Sequence, residues 1–157
     1  MRGGTLVMTD VSVGNVGQLS ADLLIATHQM ERVAFFDEDA VVPVVGADAE
    51  GVVRTSLELY RGKPQGIFVL QQRSAHVPSK TQGFCDRMCA WLQASGFKQV
   101  LFLTSLPSAI RMDRQLADQG QQVSAHCAVQ GGASRKRVEE LGWELLGAGG
   151  GEPLPHE

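Results

Sequence analysis

The residues best placed by type and spacing to do chemistry form the stretch Ser12-Val13-Gly14-Asn15-Val16-Gly17-Gln18-Leu19. It lies between an apolar run, Leu6-Val7-Met8, and an amphipathic run from Val16 to Met30, which is the order strand, tight loop, helix. On one reading Gly14 and Gly17 let backbone N–H groups face a phosphate at the helix N-terminus, where the dipole favours an anion. Ser12, Arg73 and Ser74 are then the side chains able to assist, and the chain is a small α/β phosphate-binding enzyme. On the other reading Asn15 is an N-cap and Gln18, three residues later, completes an approximate capping box that satisfies the orphan N–H groups without a ligand. Neither the glycine pattern of a dinucleotide loop nor the Gly-Lys-Ser/Thr of a P-loop is present, which favours the second reading. Gly14 then serves the turn, and Gly17 lets the helix approach the sheet closely.

Other reactive side chains offer less. Cys85 and Cys89, four apart on one helix, could share a metal, but between Phe84 and Met88 they read as small core residues. Cys127 follows His126 on a strand, so the two point to opposite faces. Asp37-Glu38-Asp39 could hold a divalent cation, yet with no further ligand pattern it reads as a solvated turn. His28 ends a helix and His156 lies near the chain end; His76, in a loop close to Arg73 and Ser74, is the histidine best placed for a role. The signatures G-x-S-x-G, H-E-x-x-H and C-x-x-C are all missing. No catalytic residue, metal site or cofactor is therefore expected.

Composition sets the outer bounds. A chain of 157 residues, 43% hydrophobic and 20% charged, is long enough to bury a core as one domain. Net charge is -3 and the sequence pI about 5.8, so no pull toward nucleic acid or an anionic membrane is expected. The basic residues Arg111, Arg114, Arg135, Lys136 and Arg137 lack interleaved aromatics and read as solvated helix faces. The apolar runs fall far short of the ~20 residues of a spanning helix. No apolar leader precedes Thr5, and three cysteines, an odd number, point to reduced thiols in an intracellular compartment.

These residues must be positioned by the following elements. Thr5 to Thr9 reads as a buried strand, since its apolar residues are consecutive. In the next helix Val16, Leu19, Leu23, Ala26 and Met30 share one stripe, expected to pack on the sheet. Leu24 and Ile25 lie off that stripe, so a second surface should cover them, either another helix of the same chain or a partner protein. Val33 to Phe36 is a strand, paired in parallel with the first by a right-handed crossover. Val41 to Gly46 is extended, with Pro43 marking an edge or bulge. Alternation from Val53 to Tyr60 predicts a half-exposed strand, joined by a hairpin to Ile67–Leu70. Phe84, Met88, Trp91 and Leu92 form a second helical stripe closed by Gly96, and Val100–Leu103 is a further buried parallel strand. A short helix over Ile110–Leu116, a weak strand over Gln122–Cys127 and a helix over Ala133–Leu141 complete the pattern. Residues 147–157 read as a flexible Gly-rich tail.

Taken in order, Ser12 through Leu19, Asp22-Leu23-Leu24-Ile25, Val42-Pro43-Val44-Val45-Gly46, Phe84-Cys85-Asp86 through Trp91 to Ser95-Gly96, and Gly142-Trp143-Glu144 resemble the proteasome assembly chaperone 2 family. The likeness runs from about Thr5 to Leu146, and its first block is the most specific. It implies a single α/β domain over 5–146, with a mostly parallel central sheet flanked by helices and an added hairpin. That fold would be similar to that of nucleoside phosphorylases and hydrolases, without their catalytic residues. It further implies a non-enzymatic chaperone, cytoplasmic and nuclear, that pairs with proteasome assembly chaperone 1. The heterodimer would hold alpha-type subunits while the ring of the 20S proteasome assembles. The family-motif residues are then Ser12, Gly14, Asn15, Gly17 and Gln18, and Leu24 and Ile25 are the candidate partner interface. Against that family the chain reads as a C-terminally short form, ending at Pro153–Glu157 without a further Gly-rich segment or a hydrophobic-Tyr-any tail.

Overall fold

A computed structural model describes residues 2–63, 66–105, 107, 126–127 and 132–145. The chain divides into two compact units, Met1–Ser108 and Ala109–Glu157. The expectations for Ile110–Leu116, for 122–125 and for the tail 147–157 lie outside the described residues.

The first unit is an α/β layer structure. Its strands are β1 (Thr5–Thr9), β2 (Glu31–Phe35), β3 (Val45–Ala47), β4 (Val53–Thr55), β5 (Leu57–Arg61), β6 (Ile67–Gln72) and β7 (Gln99–Leu103), with helices α1 (Val16–Thr27) and α2 (Thr81–Ser95). Five strands form a mixed sheet in the order β2-β5-β6-β1-β7, and β3 and β4 form a separate two-stranded ribbon. β1 runs parallel to both β6 and β7, whereas β5 is antiparallel to both β2 and β6. The β5–β6 hairpin is the one the alternation predicts.

Because strand side chains alternate, the sheet sorts its residues onto two faces. On one face Leu6, Met8, Leu57, Leu59, Phe68 and Leu70 meet Phe84 and Met88 of α2. Around them Phe36, Trp91 and Phe97 stack edge to face or tilted, at centroid separations of 5.1 and 5.8 Å. On the other face Val7, Tyr60 and Val69 meet Ala21 of α1 and Met30. α2 ends at Gly96, whose φ of 67° is the left-handed stop that glycine adopts without strain.

Four expectations are corrected. β2 does not pair with β1; two strands intervene, and β2 lies at the sheet edge against β5. Its polar Glu31 and Arg32, and a register shift between Arg32 and Ala34, suit an edge better than a sheet centre. The alternating run over Val53–Tyr60 breaks at Ser56, and β5 is buried on both faces, because its polar side is covered and satisfied rather than wet. β7 pairs in parallel as predicted, but Val100, Leu101 and Phe102 are exposed, since β7 ends the five-stranded sheet. Cys85 and Cys89 are exposed on α2 and are not core residues; the helix buries Phe84 and Met88 instead.

In the second unit β8 (His126–Cys127) and β9 (Glu144–Leu145) pair in parallel around α3 (Gly132–Glu140). Arg135 and Arg137 pair along the helix with Glu139 and Glu140 at 3.3 and 3.2 Å, the arrangement of a solvated face.

Candidate functional site

The loop after β1 builds its turn from two consecutive left-handed residues, Gly14 (φ 66°, ψ 14°) and Asn15 (φ 56°, ψ 25°). Asn15 makes no capping hydrogen bond, which corrects the capping-box expectation. A capping residue needs extended backbone, and here Ser12 has it, at φ −121° and ψ 168°. Ser12 Oγ accepts the Gly17 N–H at 3.1 Å, and the Ser12 carbonyl accepts the Asn15 N–H at 2.9 Å. Gln18 reaches not back to Asn15 but across to the residue after β6, its Nε2 donating to the Arg73 carbonyl at 3.5 Å. A Cβ on Gly17 would lie 2.8 Å from the Leu103 carbonyl oxygen and 3.1 Å from that of Asp10. That is closer than real Cβ contacts allow, so α1 sits on the strand ends only because residue 17 is glycine.

The three side chains offered for phosphate are each engaged within the chain. Ser12 Oγ holds Gly17, and Ser74 Oγ donates to the Val42 carbonyl. Arg73 Nη2 donates to Asp22 Oδ1 at 3.2 Å and to Gln71 Oε1 at 2.7 Å. Asp10, just before the loop, also places a carboxylate ahead of α1, which disfavours an anion there. His76 lies at the end of β6 against Phe84, with its Nε2 3.2 Å from Gln72 Nε2. In the acidic triplet Glu38 pairs with Arg87, and Asp39 with Lys80 at 2.7 Å. The Arg87 hydrogen bond holds Glu38 below the ordinary carboxylate range, and Lys80 does the same for Asp39. No group of three metal-ligating side chains occurs among the described residues.

The most charged interior feature lies on the α1 face of β5. Glu58 is wholly buried; its Oε1 accepts from Arg32 Nη1 at 2.7 Å and the Thr55 N–H at 2.9 Å, and its Oε2 from the Tyr60 hydroxyl at 2.5 Å. Tyr60 in turn accepts from Arg54 Nη1 at 2.8 Å, and Arg54 pairs with Asp48 at 2.6 Å. This chain of bonds ties the β3–β4 ribbon to the sheet. Every polar atom of the Glu58 carboxylate is used, so the network is structural.

The orientation of α1 decides which of its side chains can bind anything. Gly17 and Ala21 are buried, and Leu24 and Ile25 are half-buried against Val7, Tyr60 and Val69. Leu24 and Ile25 are thus part of the chain's own packing, contrary to their expected place on a second surface. Of the stripe expected to face the sheet only Met30, just past the helix, is buried there; its helical members face away, with Val16 50%, Leu19 56% and Leu23 68% exposed. Beside it lies an open depression of about 350 Å³ lined by Ser20, Leu23, Leu24, Thr27, His28 and Leu103. Helical spacing alone does not choose between two apolar stripes; the signal that does is the small pair Gly17 and Ala21.

Comparison with known proteins settles the ancestry. The model of the PAC2 family matches residues 6–152. The chain belongs to the PAC2 family. Among curated relatives, proteasome assembly chaperone 2 of Danio rerio is 35% identical over 152 residues, covering 92% of this chain and 58% of that protein. Proteasome assembly chaperone 2 of Homo sapiens is 34% identical over 153 residues, covering 93% and 58%. The chain therefore spans little more than half the length of these relatives. A protein of unknown function from Thermoplasma acidophilum superposes with a TM-score of 0.71 at 15% identity, over 94% of this chain and 56% of that one. That likeness places the PAC2 chain among α/β folds with a central sheet flanked by helices.

Proposed function

We propose that this PAC2-family chain is a non-enzymatic chaperone of proteasome assembly, acting in the cytoplasm and nucleus. It pairs with proteasome assembly chaperone 1, and the pair holds alpha-type subunits of the 20S proteasome while their ring forms. The names of the curated relatives support the class of function. The observation that carries the binding mode is the outward stripe Val16, Leu19 and Leu23 on α1. Three large aliphatic side chains on one helix face gain nothing in water, and each stabilises the chain only if another surface covers it. Stable interfaces bury on the order of 1,200–2,000 Å² around a few apolar anchors, and this stripe with its adjoining depression supplies such anchors.

Copurification from cell extract tests the reading. Recovery of proteasome assembly chaperone 1 together with unassembled alpha-type subunits is the expected result. Isolation without a protein partner, combined with saturable binding of inorganic phosphate, would overturn it in favour of a phosphate-using enzyme.

A further inference from the structure

We propose that β3 is a docking edge for an extended segment of another protein, apolar at its centre and basic at its ends. This surface is separate from the α1 stripe and does not rest on the pairing proposed above.

Among the described residues β3 hydrogen-bonds to β4 and to no other strand, so its outer side is an unpaired edge. All three of its residues, Val45-Gly46-Ala47, are exposed, and Val45 is 77% exposed. Proteins usually protect such an edge by keeping the strand short or with a lysine, a bulge or a covering loop; β3 has only its shortness, three residues. The contrast within this chain is direct: β2, the edge of the main sheet, carries Glu31, Arg32 and a register shift, whereas β3 carries none of these. At the open end of the ribbon, where the chain enters β3 through Pro43 and Val44, is a groove of about 260 Å³, and Phe35 in its wall is 66% exposed. The β4 strand that β3 pairs with and the residues leading into β3 are tied down. Arg54 bonds to Tyr60 and Asp48, the Thr55 N–H to Glu58, and Ser56 Oγ to the Val44 N–H at 2.8 Å and the Val42 carbonyl at 3.0 Å. An edge flanked in this way has less to order when a segment arrives.

Charge selects the occupant. Residues 37–50 contain five acidic side chains and no basic one. Glu38, Asp39 and Asp48 are paired with Arg87, Lys80 and Arg54. Asp37 and Glu50 have no ion-pair partner among the described residues, and they stand at two ends of the surface: Asp37 in the groove wall, Glu50 in the turn of the ribbon. Strand addition draws affinity from main-chain hydrogen bonds and specificity from alternate side chains and flanking charge. The matching segment has alternating apolar residues between two basic ones.

The test titrates the full chain with a fluorescent peptide, Lys-Val-Thr-Val-Thr-Val-Lys, and with its counterpart bearing Glu at both ends. The Lys-ended peptide is expected to saturate the native chain. Val45→Lys, at an exposed position, should weaken it by roughly tenfold or more without moving the thermal melt. The double change Asp37→Lys, Glu50→Lys should reverse the preference toward the Glu-ended peptide, and it carries the test if Val45→Lys fails to fold. Absence of saturable binding, or equal binding of both peptides to the native chain and the charge-reversed variant, would overturn the proposal. So would a concentration-dependent dimer, seen by sedimentation, that Val45→Lys abolishes, because a second copy would then be the occupant.

Discussion

The Tyr60 hydroxyl donates to Glu58 Oε2 at 2.5 Å inside the sheet. Burial, then the neighbouring carboxylate, push the phenol above its ordinary value of 10.0. Tyr60 is the only tyrosine in the chain, so absorbance reads its ionisation directly. In the folded protein ionisation is expected only above 10.0, and Glu58→Gln should bring it back toward that value. A raised acid pKa means the stabilisation is present below the unfolded value and lost as pH rises through the folded one. Unfolding should therefore accompany the absorbance change. A native-state transition at the ordinary value would show that the hydroxyl is neither buried nor bonded to Glu58; no change on Glu58→Gln would show that the bond contributes nothing.

Glu58 behaves oppositely in acid. Burial alone would push its carboxyl up, but hydrogen bonds from Tyr60, Thr55 and Arg32 outweigh that and hold it below the ordinary 4.5. A depressed carboxylate pKa contributes stability that is complete above 4.5 and lost as pH falls through the folded value. Glu58→Gln should flatten the acid limb of the melting temperature. Glu58→Ala is expected to cost about 3 kcal/mol at neutral pH, toward the low end for losing one partner of a buried pair, because Arg32 keeps some access to water. Denaturant titration of both variants measures this; a cost near zero would mean that the pair contributes nothing net.

Much of this fold is legible in the sequence, and the misreadings share a cause. Strands β1, β5, β6 and β7, both long helices and the Gly96 stop follow from apolar runs and local chemistry. Which strand lies beside which does not, because β2 pairs with β5, a ladder between residues more than 20 apart in sequence whose side chains Arg32 and Glu58 also meet. The burial of Glu58 and Tyr60 was hidden for the same reason: alternation reveals two chemically different faces, and only tertiary partners decide whether the polar one is wet. In α1 the sequence contains the deciding clue. Gly17 reads as a close approach to the sheet, and helical geometry then puts Ala21, Leu24 and Ile25 inward as well. Hydrophobicity favours Val16, Leu19 and Leu23 for that face; the need for small residues at a close contact overrides it.

At the loop before α1 the two capping candidates separate by substitution. Ser12→Ala removes the acceptor of the Gly17 N–H and should cost about 1 kcal/mol. Asn15 serves by tolerating φ 56°, not through its side-chain bond. Asn15→Ala should therefore cost roughly 1 kcal/mol, the strain of a Cβ residue in left-handed backbone, while Asn15→Gly should cost nothing. Thermal melts of the three variants decide it. A loss in Asn15→Gly equal to that in Asn15→Ala would restore the side chain as the cap.

The two apolar sides of α1 should respond to charge in opposite ways. Leu19 and Leu23 are mostly exposed, so Leu19→Asp and Leu23→Asp remove little packing and should cost no more than about 1 kcal/mol, mainly in helix propensity. Ile25 packs against the cluster of Val7, Tyr60 and Val69, so Ile25→Asp places a carboxylate against apolar side chains in a poorly solvated layer and should collapse the melt. Pull-down of proteasome assembly chaperone 1 supplies the second readout. Pairing should be lost in Leu19→Asp and Leu23→Asp while their melts stay close to native, a combination that a purely structural role for the stripe does not produce. If both variants pair as the native chain does, the pairing surface does not include Leu19 and Leu23.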